Sequence, residues 1–280
     1  MAWLPLPITH AIGHILAWGI ILFRNKTRDT AITNIKLCFP ELSATEQHQL
    51  MKKSMRELFK TFLESGILWL GSPKRLNHLI KEVRGEEYIH EALEKGKGCI
   101  FVAPHIGSWE VIGQYCSPRY PMTSLYRPPR MAAMDKLIRH SRQRNGAILA
   151  PTTPQGVKML LQALKNNATT GILPDQDPRD SGGHFAPFFG IQANTMMLLP
   201  RLAQKTGATP LLAYAERLPW GQGFILHFEK APEAIASRDM HESVTAVNAM
   251  VETLVRKLPS QYQWGYKRFR TRPEGQPWLY

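Results

Sequence analysis

From about residue 81 to the C-terminus, short apolar runs alternate with longer amphipathic ones, and this alternation limits the folds open to the chain. The runs at 98–103, 122–126, 168–173, 209–215 and 223–229 have the length and composition of strands. Those at 86–94, 109–116, 132–144, 155–165, 195–206 and 240–258 carry helical spacing. Strands that alternate with helices build an α/β sheet covered on both faces. The last two strand runs lie close enough together to pair antiparallel, so a mixed central sheet flanked by helices is expected. No internal repeat or Ser/Gly-rich linker divides the chain.

The first of these strand runs, Cys99-Ile100-Phe101-Val102-Ala103, leads directly into Pro104-His105-Ile106-Gly107-Ser108-Trp109-Glu110. A buried strand followed by a short turn delivers His105 and Glu110 to the strand's C-terminal mouth, where open α/β sheets bind ligands. A neutral imidazole accepts a proton near pH 7, and a carboxylate can orient it and stabilise the resulting cation. The spacing alone also fits a helix start, with Ser108 or Glu110 answering the helix N-terminus. Five residues turn an ideal helix by about 140°. A His105–Glu110 contact is therefore expected across the loop-to-helix junction, and not along one helix face.

Charge narrows the partners. Lys and Arg number 35 against 22 Asp and Glu, a formal net charge of +13, which favours nucleic acid, anionic lipid or an acidic protein. The N-terminus chooses the membrane. Residues 1–23 contain no Lys, Arg, Asp or Glu, and Arg24, Lys26 and Arg28 follow at once. A helix over 7–23 spans roughly 25 Å. That is marginal against a hydrocarbon core of about 30 Å, so an interfacial anchor and a single span are both open. We therefore expect a membrane anchor at 1–24 and a catalytic domain at 25–280, with a helical lead-in over 25–80. Within the lead-in, 30–40 reads as a short helix ended by Pro40, and Ser43 with Glu46 forms a capping box that opens a long helix. Three cysteines, Cys38, Cys99 and Cys116, have no metal-ligand spacing and suit a reducing compartment.

Three further segments carry chemistry. Ser124-Leu125-Tyr126-Arg127-Pro128-Pro129-Arg130 precedes a helix on which Arg139 and Arg142 share a face, where a guanidinium can grip phosphate or polarise a carbonyl oxygen. Leu173-Pro174-Asp175-Gln176-Asp177 puts an acid at the end of another apolar strand, again at the ligand mouth. The aromatic cluster Phe185-Ala186-Pro187-Phe188-Phe189-Gly190 after it suits an acyl-chain groove or loop packing. Near the C-terminus, Trp264 to Pro273 interleaves aromatic and basic residues, a pattern for a membrane interface or for nucleic acid, and the apolar N-terminus favours the membrane. The sequence holds no P-loop, His-Glu-x-x-His zinc site, Gly-x-Ser-x-Gly elbow or Gly-x-Gly-x-x-Gly turn, so neither serine nucleophile, metal nor nucleotide cofactor has support.

Taken in order, these segments resemble the lipid A biosynthesis acyltransferases, the secondary acyltransferases of Gram-negative bacteria. The resemblance runs through the N-terminal apolar segment, Asn34 to Pro40, Ala103 to Glu110, Leu125 to Pro128, Leu137 to Arg142, Leu173 to Gln176, Pro187 to Gly190 with Thr195, and Trp264 to Pro273. Glutamate at position 110, where the wider glycerolipid acyltransferases usually carry aspartate, favours the lipid A branch. Ser108 stands where asparagine is common.

The resemblance implies a single glycerolipid-acyltransferase-like α/β domain behind a membrane-anchoring helix. It implies transfer of a fatty acyl chain from acyl carrier protein to a hydroxyl of a lipid A precursor. No cofactor is implied beyond acyl carrier protein as co-substrate. The setting implied is the bacterial inner membrane, with anionic lipids beside the protein, the catalytic domain in the cytoplasm, and no nucleic acid. It assigns catalytic roles to His105, Glu110, Arg142 and Asp175, and substrate binding to Arg127, Ser108, Arg139 and Gln176. On this reading His105 is the base and Glu110 orients it. A related acyltransferase with another glycolipid or phospholipid acceptor, and a membrane-associated basic binding protein, are the alternatives.

Overall fold

The computed structural model describes residues 3–129, 131–179 and 182–280; Arg130 of the basic segment lies outside them. Seven strands form the main sheet, in the order β1-β9-β8-β2-β5-β3-β4. They are β1 (Ile80–Arg84), β2 (Cys99–Val102), β3 (Met122–Tyr126), β4 (Ile148–Pro151), β5 (Thr169–Ile172), β8 (Thr209–Arg217) and β9 (Phe224–Lys230). All neighbours run parallel except β8 and β9, which are antiparallel as their short connection requires. The mixed sheet flanked by helices is thus present.

Helices cover both faces. They are α1 (Leu6–Leu22), α2 (Lys26–Cys38), α3 (Ala44–Leu70), α4 (Pro73–Leu79), α5 (Glu87–Glu94), α6 (Trp109–Cys116), α7 (Ala132–Arg144), α8 (Pro154–Lys165), α9 (Leu198–Thr206) and α10 (Met240–Lys257). Strand β2 shows why its sequence is apolar throughout. Ile100 and Val102 enter one core with residues of α2, α3, α8, α9 and α10, while Cys99 and Phe101 enter the other with residues of α5 and α6. Alternate side chains of a doubly covered strand are all buried, so no polar alternation survives. The capping box at Ser43 and Glu46 forms as expected.

Two expectations change. The run at 195–206 is not one helix: Ile191–Met196 is a strand, β7, paired with β6 (Gly183–Phe188), and α9 begins at Leu198. Phe189 and Gly190, at φ 52° and 73°, make the tight turn between them. This hairpin buries Phe188 and Phe189 against Phe39, Trp264 and Phe269, so the aromatic cluster is core packing and does not line an acyl groove. The C-terminal segment is likewise interior. Trp264 and Phe269 are buried, and the buried Arg268 guanidinium donates to the Asn194 carbonyl and the Thr195 hydroxyl of β7. Trp264 and Phe269 are therefore packed inside and are presented to neither a membrane nor a nucleic acid.

Helix α1 is inverted. Its polar residues Thr9 and His10 face inward with Leu6, Gly13 and Ala17. Outward stand Ile15 at 70% exposure, Trp18 at 57% and Phe23, which follows the helix, at 74%. Among the described residues no single helix is long and apolar enough to cross a membrane; α1 and α2 meet the test only as a pair bent by 84°. Helix α1 instead packs along α3, where His10 Nε2 lies 2.6 Å from Glu64 Oε1.

Glu64 also receives Arg217 at 2.6 and 2.7 Å from the end of β8. Burial would raise the Glu64 pKa, but the Arg217 charge and hydrogen bonds outweigh it and hold the carboxyl at about 2, below its ordinary 4.5. A depressed carboxylate contributes stability that is complete above its unfolded value and lost as pH falls through the folded one. Thermal melts should therefore show wild type well above Glu64→Gln at pH 6, with the gap closing between 4.5 and about 2. A pH-independent gap would contradict the pairing.

Candidate active site

Strands β2 and β5 are adjacent, parallel and in register, with Val102 opposite Ile172. His105 and Asp175 each follow three residues later, so the register carries them out of the sheet side by side. The Asp175 carboxylate accepts twice from His105: from the ring Nδ1 at 2.9 Å and from the backbone N–H at 2.9 Å. Nδ1 therefore carries the proton, and Nε2 presents its lone pair. Gln176 Nε2 lies 3.2 Å from that nitrogen, and the same amide donates to Gln263 Oε1 at 3.1 Å. Asp175 is buried. Burial would raise its pKa, but its electrostatic interaction with His105 and the hydrogen bonds that it accepts from the ring and backbone N–H outweigh it, so the carboxyl lies below its ordinary value.

The carboxylate that orients His105 is thus Asp175 and not Glu110. Glu110 pairs with Arg142 Nη2 and accepts from Trp69 Nε1 at 3.3 Å. The reason is topological: the residues after two neighbouring strands meet directly, whereas Glu110 has already entered α6 and faces α3 and α7. Arg142 also lies over the Tyr126 ring, 5.5 Å from its centre.

The remaining candidates fall into place around these pairs. Ser108 takes the N-cap position of α6, but its hydroxyl makes no capping bond and is buried without a hydrogen-bond partner among the described residues. The first amides of α6, at Trp109 and Glu110, have no intrahelical acceptor, as at any helix start. Arg139 is drawn aside by Asp135 at 2.9 and 3.1 Å. Arg127 is exposed in the loop after β3. The sequence reading missed Gln263, whose contact comes from a segment 87 residues away from Gln176.

A cavity of about 100 Å³ is lined by Glu110 and Arg142 together with Trp109, Ala103 and Leu173, while His105 and Asp175 do not line it. Its wall includes Phe101, Gly171, Ser124 and Leu149, one row across the sheet, and Ser117, Met122 and Ala147. Trp109 joins cavity to dyad, since its ring meets the His105 ring edge-on at 5.0 Å. Gly113 faces this space from the middle of α6, and a Cβ there would meet nothing within 4 Å. Glycine inside a helix is costly, by roughly 1 kcal/mol relative to alanine, and here it leaves the slot open. Among the described residues no cluster of His, Cys, Asp or Glu is arranged to hold a metal.

The family model for bacterial lipid A biosynthesis acyltransferases matches residues 1–271. The chain is 28% identical to the lipid A biosynthesis palmitoleoyltransferase of Escherichia coli K12, over 99% of this chain and 90% of that protein. It is equally similar, at 28% over the same shares, to the lipid A biosynthesis lauroyltransferase of that organism. A lipid A biosynthesis acyltransferase of Haemophilus influenzae is 26% identical over 99% of this chain and 89% of its own length. With the family pattern matched across nearly its whole length, the chain belongs to the bacterial lipid A biosynthesis acyltransferases.

Proposed function

We propose that this protein transfers a fatty acyl chain from acyl carrier protein to a hydroxyl of a lipid A precursor, with His105 as general base. The observation that supports the mechanism is the orientation of His105: Nδ1 is held on Asp175, and Nε2 is met by the side-chain amide of Gln176. The acceptor hydroxyl replaces Gln176 at Nε2 and gives up its proton there as its oxygen attacks the thioester carbonyl carbon. Asp175 stabilises the imidazolium. The carbon–sulfur bond then breaks, and the departing thiolate takes the proton back from His105. No proton or electron is left over, so the reaction needs no cofactor.

The developing oxyanion needs donors fixed in advance. The candidates for that role are Arg142, paired with Glu110 in the cavity wall, and the first amides of α6. Glu110 is then a positioning residue for the guanidinium. The apolar slot takes part of the acyl chain, and the excess of basic residues favours an acidic carrier protein and a phosphorylated acceptor. Ser108, Gln176, Arg127 and Arg139 are substrate-binding candidates on the same reading, the last two toward phosphate.

The inverted face of α1 supports membrane anchoring, in which the apolar surface meets lipid while His10 stays on Glu64. The helix, about 25 Å long, lies along α3 and seats the protein on the inner-membrane surface from the cytoplasmic side.

Purified protein incubated with lauroyl–acyl carrier protein and a tetra-acylated lipid A precursor should add one acyl mass. A verified positive control beside no mass gain refutes the substrate assignment. His105→Ala, Asp175→Asn and Glu110→Ala should each lower turnover by more than about 100-fold, the scale of general acid–base catalysis. Folded variants with near-native rates would remove those roles. Gly113→Leu, which fills the slot without an initial clash, should shift the product toward shorter chains in a competition of acyl donors; an unchanged profile means that the chain lies elsewhere. In vesicle flotation, the pair Ile15→Glu and Trp18→Glu should release protein that wild type retains on anionic lipid.

A further inference from the structure

The turn between β2 and α6 is held by a buried guanidinium from outside the catalytic pairs. Arg217, the last residue of β8, is buried, and each of its three guanidinium nitrogens is hydrogen-bonded. Nε and Nη2 reach Glu64, Nη1 reaches Glu57 at 2.8 Å, and Nη2 also meets the Thr61 hydroxyl at 2.7 Å and the Gly107 carbonyl at 3.3 Å. The Thr61 hydroxyl itself lies 3.2 Å from the same carbonyl.

The other side of Gly107 is held as firmly. Its N–H donates to the Gln261 carbonyl at 3.0 Å. The Gln261 side chain in turn brackets Arg217, accepting from its backbone N–H at 2.9 Å and donating to its carbonyl at 3.0 Å. Ser108 N–H donates to Ala215 at 3.0 Å. Gly107 sits at φ +60°, and a Cβ there would fall 2.0 Å from the Ala215 carbonyl. The peptide thus rests in a socket made by the end of β8, Gln261 and Thr61.

Gly107 is the hinge between the two halves of the site. His105 and its bond to Asp175 precede it, while Trp109 and Glu110, which holds Arg142, follow it. The orientation of its peptide sets the angle at which α6 leaves β2, and so the placement of the base relative to the Glu110–Arg142 pair. We infer that Arg217, with Thr61, is a positioning residue for acyl transfer: it fixes the Gly107 peptide, and through it the distance from base to oxyanion donors, without touching substrate. This rests on the acyl-transfer reading.

The test compares wild type, Arg217→Lys and Thr61→Val with lauroyl–acyl carrier protein and the tetra-acylated precursor, using thermal melts to correct for folded protein. Lysine keeps the charge but cannot fork among Glu64, Glu57, Thr61 and Gly107. Valine keeps the shape and leaves every charge paired. Each folded variant should lose at least about tenfold in kcat while KM for the acyl donor stays within about twofold, because misplacing reacting groups by an ångström is costly in the transition state. A purely structural role lowers the melting temperature and leaves kcat per folded molecule unchanged, and that result overturns the inference. If Arg217→Lys does not fold, Thr61→Val decides alone: wild-type kcat overturns the proposal, and a kcat loss at constant KM upholds it. Absence of transfer by wild type would instead overturn the acyl-transfer reading itself.

Discussion

The ladder between β2 and β5 sets the geometry of the candidate site. Four paired residues, Cys99 to Val102 against Thr169 to Ile172, set two chains level as they leave the sheet. The bond from Ala103 N–H to the Ile172 carbonyl, at 2.9 Å, extends that alignment one step further. An imidazole and a carboxylate three residues beyond then meet without any long or adaptable connection. A slip of one residue would turn every side chain of β2 to the opposite face and separate His105 from Asp175. Because both faces of β2 are filled, that slip is blocked by the cores themselves.

The second pair depends on packing of helices over the sheet, and it is held less directly. Glu110 and Arg142 come from α6 and α7 and meet in the wall of the cavity. The slot beneath them exists because glycines stand at 113 and 171, each at a place where a larger side chain would narrow it. At Gly171 a Cβ would come within 2.9 Å of the Met122 methyl. The site is therefore built from a rigid dyad fixed by backbone pairing, an ion pair fixed by helix packing, and a space kept open between them.

Much of this was legible in the sequence, and the failures have a common cause. The interior strands β2, β3, β5, β8 and β9 announce themselves by short runs free of Asp, Glu, Lys and Arg over most of their length, and the doubly buried β2 is apolar throughout. Within the main sheet the strands that escaped notice, β1 and β4, are its two edges; the separate β6–β7 hairpin escaped notice as well. Their burial is partial, so Ile80–Arg84 carries Lys81, Glu82 and Arg84 and reads as surface. Charged edge strands resist pairing with other molecules, and the same property hides them from hydropathy. His105, Asp175 and the Glu110–Arg142 pair were visible as residues at strand ends and on helix faces. Which carboxylate serves the imidazole was not, since local spacing favours Glu110, five residues away, and the true partner is 70 residues distant. Composition misled in the same way at Trp264 to Pro273, where Arg268 looks like a surface charge until the Asn194 carbonyl and Thr195 hydroxyl appear beside it.

The inverted helix α1 ties these features to the setting in which such an enzyme works. Leaving Ile15 and Trp18 outside while His10 is buried opposes the hydrophobic effect in water. The arrangement becomes favourable when the outer medium is hydrocarbon and the inner one supplies a charged partner. Glu64 is that partner, and it is also the carboxylate that fixes Arg217 behind the catalytic turn. The residues that seat the apolar helix and those that brace the turn are thus one buried cluster. On the proposed membrane-bound reading, a lipid acceptor would meet a turn braced by the same buried cluster that holds α1.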